Sequence, residues 1–281
     1  MKALDIDALW DFQDLEGSEA RFRAALTPNP LSHCELLTQI ARTLGLRKRF
    51  DEAHSLLDEA EALGCSEPRC LIRIALERGR VFNSSGGREH ARPHFLRAWE
   101  LALESGEEDL EVDAAHMMAI VGTPEESVEW NEKALTTARR SQNPKARKWL
   151  GSLLNNLAWT YHDAGEFEKA LELFIQAMRF RMEQGKEPEL GIARWSVGKC
   201  LRSLGRLDEA LSVQLELATD HARAGTDDGY VHEELAEILL AQGNAGEAGP
   251  HFARAHEQLS QDEGFAQKEP DRLARMLSLS K

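Results

Sequence analysis

Apolar residues recur along most of this chain in steps of three and four, the spacing that lays a stripe along one face of an α-helix. The stretch 150–178 shows it best. Leu150, Leu153, Leu154, Leu157, Ala158 and Tyr161 predict one helix, and Phe167, Ala170, Leu171, Phe174, Ile175 and Met178 predict a second. Gly165 lies between them, where a chain leaving a helix often takes a left-handed residue. A hairpin this apolar cannot bury its faces alone and calls for copies of itself on either side.

The sequence supplies the copies. A small residue in the second helix recurs as Ala53, Ala91, Ser127, Ala170, Ala210 and Ala248, at intervals of 36 to 43 residues. Seven residues later most copies carry another: Ala60, Ala98, Ala134, Ala177 and Ala255, with Leu217 the exception. Twelve residues before stand Ala41, Gly79, Ala115, Ala158, Gly198 and Ala236. Small residues at fixed places let two helices approach closely, and a period of this length marks a helical solenoid. Turn signals fall between the predicted helices at Gly64, Gly86, Gly106, Gly185, Gly205, Gly225 and Gly243, and Pro124, Pro144 and Pro188 suit first helical positions. The expected organisation is residues 1–30 as N-terminal capping helices, the second of them capped by Ser18, then six repeats over 31–262. A capping helix over 263–281, carrying Leu273, Met276, Leu277 and Leu279, closes the chain.

LNNLAWTYHDAGEFEKALELFIQAM resembles the tetratricopeptide repeat in its series Ala158, Tyr161, Gly165, Phe167, Ala170, Phe174 and Ala177. The segments 201–211 and 239–248 match nearly as well, and the first three copies are degenerate. The first has Gly45 displaced and Arg47-Lys48-Arg49 in the turn; the third has Ser127 where alanine is usual. The resemblance implies an all-α, right-handed superhelical solenoid of antiparallel helix pairs, of the long-helix type because the period is long.

Composition narrows the function. The formal net charge is −14, which argues against nucleic acid as the main partner. No run of about twenty apolar residues predicts a membrane span. The first residues lack the basic start and apolar block of a signal peptide. Cys34, Cys65, Cys70 and Cys200 are scattered and form no CxxC pair, so a reduced, cytoplasmic protein is the simple reading. Catalytic signatures are missing. His232-Glu233-Glu234 fails as HExxH because position 236 is alanine, and Gly198-Lys199-Cys200 is no phosphate loop. His90 and His94 are spaced for a metal but have no identifiable third ligand, and Asn83-Ser84-Ser85 reads as a turn. No enzyme activity, cofactor or metal is expected.

The informative signal is aromatic and basic. On a helical wheel Trp159 falls opposite its local stripe, flanked by Asn155 and His162. Trp195, Lys199 and Arg202 fall opposite the stripe of Leu190, Ala193, Val197 and Leu201. In a solenoid of this family the first helices line the concave face. By alignment that face carries Thr38, Arg42, Leu76, Arg80, Asn83, Val112, His116, Asn155, Trp159, His162, Trp195, Lys199 and Arg202, and ends on Glu233 and Glu237. A basic, aromatic row on an acidic protein focuses an anionic ligand. The amides of Asn155 and Asn156 suit the backbone of an extended peptide. The expectation is a non-catalytic adaptor binding an extended, acidic peptide with an apolar anchor, at an affinity on the order of micromolar, about −8 kcal/mol. The alternatives are a regulatory sensor that binds a signalling peptide or small molecule and acts on a separate protein, and tryptophans that serve packing alone, with the C-terminal helix folded over the groove.

Overall fold

The computed structural model describes residues 5–185 and 187–281. Among these it shows α-helices and one 3-10 turn, Asp7–Leu9, and no strand. The chain divides into two compact units, one ending at Leu153 and the other beginning at Leu154. In the first, α1 (Leu15–Ala24) precedes three helix pairs: α2 (Pro30–Leu46) with α3 (Phe50–Ala62), α4 (Pro68–Ser84) with α5 (Arg88–Ser105), and α6 (Glu108–Val121) with α7 (Pro124–Arg140). The short α8 (Pro144–Arg147) leads into α9 (Leu150–Asp163), within which the division falls. The second unit continues with α10 (Phe167–Gln184), α11 (Glu187–Ser203), α12 (Leu207–Arg223), α13 (Gly229–Ala241), α14 (Ala245–Leu259), α15 (Glu263–Lys268) and α16 (Pro270–Leu279). Helices pack chiefly on their neighbours in sequence, so each unit is a stack of helix pairs.

The ends of the helices follow from single residues. Asn29 and Asn143 accept the backbone N–H groups of Ser32 and Lys145, each ahead of a proline at the first helical position. Thr123 and Glu126 form a reciprocal capping box at the start of α7. Gly165 and Gly205 leave their helices at φ of 79° and 73°. In the degenerate first copy Gly45 lies inside α2, and Lys48 takes the left-handed turn at φ 61°. The start of the chain differs from expectation. Ile6 to Trp10 make a 3-10 turn rather than a helix. Asp14 caps α1, accepting from the Gly17 N–H, while Ser18 is buried and exchanges hydrogen bonds with the Asp11 backbone.

The repeated small residues are where the helices meet. Ala41, Ala158, Ala53, Ala91, Ala170 and Ala210 are wholly buried. Ser127 is only partly buried. Four residues beyond the first small position stands the side chain that fills each pair: Leu57, Phe95, Phe174 and Phe252 are fully buried. Burying each of these is worth about 1.5–3 kcal/mol. In the other two copies an amide takes that place. Asn131 and Gln214 are buried too, and among the described residues the Asn131 Oδ1 and Gln214 Oε1 have no hydrogen-bond partner. Gln214 does donate to the Trp195 carbonyl at 3.1 Å.

At the end of the chain α16 packs on α14 through Met276, which is fully buried. No helix among the described residues is long and apolar enough to cross a membrane.

Candidate functional site

In the first unit the first helices α2, α4 and α6 bring Arg42, Arg80 and His116 together with two carboxylates that the basic-row reading left out. Arg80 Nη1 donates to Glu77, three residues earlier on α4, and Arg80 Nη2 donates to Asp113 on α6. Arg42 on α2 lies 3.7 Å from Glu77. The Glu77 side chain is 1% exposed. Burial would lower the Arg80 pKa, but Asp113 and Glu77 more than reverse this and raise it. The Asp113 carboxyl, which burial would raise, is held below its usual range by Arg80 and Arg42. This alternating cation–anion quartet fixes each first helix to the next. His116 sits against Trp149 with ring centroids 5.3 Å apart, and burial pushes its pKa down. Asn83 shares with Arg42 and Arg80 a small cavity of about 180 Å³. Thr38, Leu76 and Val112, expected on the open face, are wholly buried.

The second unit brings together Trp159, His162, Trp195, Lys199 and Arg202. The Trp159 and Trp195 rings lie 6.1 Å apart, both partly exposed. Trp159 also meets Phe174 edge-on at 4.9 Å and His162 at 5.0 Å, so it packs against the core of the unit and keeps only partial exposure. Trp195 donates its indole N–H to the Tyr230 carbonyl at 3.1 Å, and the Lys199 ammonium stands 5.1 Å from its ring. The ring series continues through Tyr230 to Phe265, at 6.3 and 5.8 Å. His162 bonds Ser203 Oγ at 2.9 Å, and burial lowers its pKa. Asn155 and Asn156 are partly buried on the same turn of α9. Beside Trp195 opens a cavity of about 820 Å³, walled by Leu190, Ile192, Leu217, Tyr230 and Val231.

Carboxylates again accompany the cations. Arg202 donates to Glu234 on α13, with Lys199 3.9 Å away. Glu233 accepts from Nε and Nη2 of Arg272, each at 2.6 Å, and Glu237 pairs with Arg275. The α16 helix thus covers the acidic end of the row.

A family model for the tetratricopeptide repeat matches residues 107–183 and 149–219. Residues 107–219 are tetratricopeptide repeats. In α2 to α5, ahead of the matched residues, the same pairing of helices persists. Among solved structures, the chain is similar to apo RapI (TM-score 0.74, 14% identity, covering 92% of this chain and 74% of RapI). It is similar to the apo quorum sensor NprR from B. thuringiensis (0.66, 15%, 98% and 79%). It also resembles a signal transduction ATPase with a tetratricopeptide repeat sensor from Pyrococcus horikoshii (0.70, 14%, covering 87% of this chain), of which it spans 39%. At these identities the likeness is one of fold. No curated protein matches the chain.

Proposed function

We propose that this repeat protein is a non-catalytic adaptor that binds an extended, acidic peptide carrying an apolar anchor. The observation that carries the reading is the Trp159–Trp195 shelf, 6.1 Å between rings, opening onto the apolar cavity beside Trp195. Two partly exposed indoles from successive first helices form a rigid apolar surface at little entropic cost. The anchor enters the cavity, and the amides of Asn155 and Asn156 take the peptide backbone. In the second unit Lys199 and Arg202, with His162, meet its carboxylates; in the first unit Arg42, Arg80, Asn83 and His116 stand on the first-helix face as the corresponding groups. NprR in complex with its cognate peptide NprX shares the fold at TM-score 0.54 and 16% identity, which supports peptide binding without specifying the peptide. Cytoplasmic placement belongs to the same reading.

The test is panning the full chain against a displayed library of random peptides, then measuring the selected peptides by fluorescence anisotropy. Trp159→Ala with Trp195→Ala should weaken binding at least tenfold, and added salt should weaken it further. No selected peptide, or unchanged affinity in a double variant still folded by circular dichroism, overturns the reading.

A regulatory sensor is favoured by one feature. Arg42–Glu77, Arg80–Asp113 and Arg202–Glu234 each join the first helices of successive repeats. A ligand carboxylate that captures one of these cations releases such a bridge and lets the repeats readjust. A selected peptide that changes the small-angle scattering profile supports the sensor, and an invariant profile supports the rigid adaptor.

A further inference from the structure

The segment before α1 crosses the open side of the first unit. Ile6 is buried in the core there. The Trp10 indole N–H donates to Gln39 Oε1 on α2 at 3.0 Å. The Trp10 and Phe12 rings stack at 4.7 Å, and the Arg42 guanidinium lies 5.7 and 5.9 Å from their centroids. At the far side the Asp7 carboxylate meets the ammonium groups of Lys145, 3.2 Å away, and Lys148, 3.5 Å away. Gln39 and Arg42 lie on α2, and Lys145 and Lys148 lie in and just after α8, at opposite ends of this unit's stack, so the segment spans its first-helix face. It does not fill that face. A cavity of about 370 Å³ remains beneath it, walled by Trp10, Arg42, Arg73, Lys148 and Trp149. Among the described residues Arg73 Nε is buried without a hydrogen-bond partner, with only a 3.5 Å ionic contact to Glu35.

The chemistry of this segment is that of a ligand. DIDALWDF alternates carboxylates with apolar and aromatic side chains. It satisfies an indole acceptor, an arginine face and two lysines, the same classes of group that line the peptide shelf of the second unit. Burial would raise the Asp7 carboxyl, but Lys148 and Lys145 more than offset that and hold it below the usual range.

We propose that residues 5–12 are a built-in pseudo-ligand that closes the first-helix face of this unit, and that the partner is a peptide pairing an aromatic anchor with carboxylates, which displaces them. The inference rests on the peptide-binding reading above and adds to it the ligand class and a means of control. A tethered segment acts at an effective concentration on the order of millimolar. A site of micromolar intrinsic affinity therefore stays closed in most molecules until a stronger peptide competes.

The probe is a fluorescein-labelled synthetic peptide of residues 5–14. The full chain is titrated with it as wild type, as Asp7→Lys, and as Asp7→Lys with Trp10→Ala. Asp7 is exposed, so its substitution leaves the fold intact, and it is the variant read if the double variant loses its circular dichroism. Opening the segment should tighten binding of the probe at least tenfold over wild type. Adding Lys145→Glu and Lys148→Glu should reverse the gain at least tenfold. Equal binding by wild type and opened variants, no binding to either, or a gain indifferent to the two lysines overturns the proposal. Binding lost with Trp159→Ala and Trp195→Ala but indifferent to Lys145 and Lys148 overturns this inference and leaves the peptide-binding reading standing.

Discussion

Replacing Asp113 with asparagine tests whether the quartet of the first unit is structural. The change keeps the shape and one acceptor oxygen, removes the charge, and turns the other oxygen into an amide donor. In the native protein Arg42 and Arg80 are balanced by Glu77 and Asp113, with the Glu77, Arg80 and Asp113 side chains 1%, 14% and 10% exposed. Without Asp113 two cations share one carboxylate in a poorly solvated place. Removing one partner of a buried pair costs about 3–5 kcal/mol, and the residual exposure here puts the value near 3 kcal/mol. Arg80→Met should cost a similar amount. The double variant should cost less than the two single losses together, because it leaves Arg42 and Glu77 matched, with a coupling on the order of 2 kcal/mol. Urea titrations followed by far-UV circular dichroism give all four stabilities. The pH dependence has a fixed sign. The Asp113 pKa is depressed in the folded state, so its contribution is present above the unfolded-state value near 4 and is lost as pH falls through the lower folded value. A loss under about 1 kcal/mol for Asp113→Asn, or strict additivity, refutes the reasoning.

Two further outcomes follow from packing and burial. A Cβ at Gly79 would lie 2.5 Å from the wholly buried Phe95 ring, whereas at Gly198 it meets the amide end of Gln214, which must leave the Trp195 carbonyl to make room. Gly79→Ala should therefore lose about 1–2 kcal/mol in urea titration despite the helix propensity gained, and Gly198→Ala, whose methyl displaces a side-chain amide rather than a ring, should lose less; the reverse order refutes the contact argument. Burial pushes the Cys34 and Cys200 thiols up to about 11, leaving roughly one thiolate in a thousand at pH 8. Mass spectrometry after brief iodoacetamide treatment should find the partly exposed Cys65 labelled first, and equal labelling of Cys34 or Cys200 counts against it.

The helix pairs were legible because their signal is repeated. Ala158, Gly165 and Ala170 say little singly, but each has counterparts one period away, and the helices fall where those counterparts predict. What escaped was what depends on a neighbouring copy. The charge row was read one helix at a time, so Arg42, Arg80 and Arg202 looked free. Their partners Glu77, Asp113 and Glu234 stand two residues before the aligned small residue, and Arg42, Arg80 and Lys199 one residue after it. Every copy with a cation in that place is followed by one with a carboxylate, a pattern visible only when successive copies are compared. The Trp10 segment escaped for another reason. Its steps suit a helix, but Asp11 and Asp14 spend their polar groups on turns and a cap, which frees residues 5–12 to lie across the unit. Likewise Cys65 and Cys70, scattered in sequence, bring their sulfurs to 2.7 Å because one lies in the loop between α3 and α4 and the other in the first turn of α4.

Self-neutralised cations change what a ligand must do. An acidic peptide reaching Arg202 does not fill an empty site; it competes with Glu234, whose side chain is 3% exposed. Exchange of one carboxylate for another is close to balanced, so under the proposed reading charge would set selectivity while the indole shelf and its cavity would supply affinity. It follows that weakening the internal competitor should help the ligand. Glu234→Gln leaves Arg202 and Lys199 without their anion, so a library-selected acidic peptide should bind several-fold more tightly by anisotropy, even as the free protein loses stability. The salt dependence of that binding should steepen, because the cations are then exposed to the peptide alone. If Glu234→Gln instead weakens binding in a folded protein, Glu234 is itself a ligand contact, and the partner presents a cation there rather than a carboxylate.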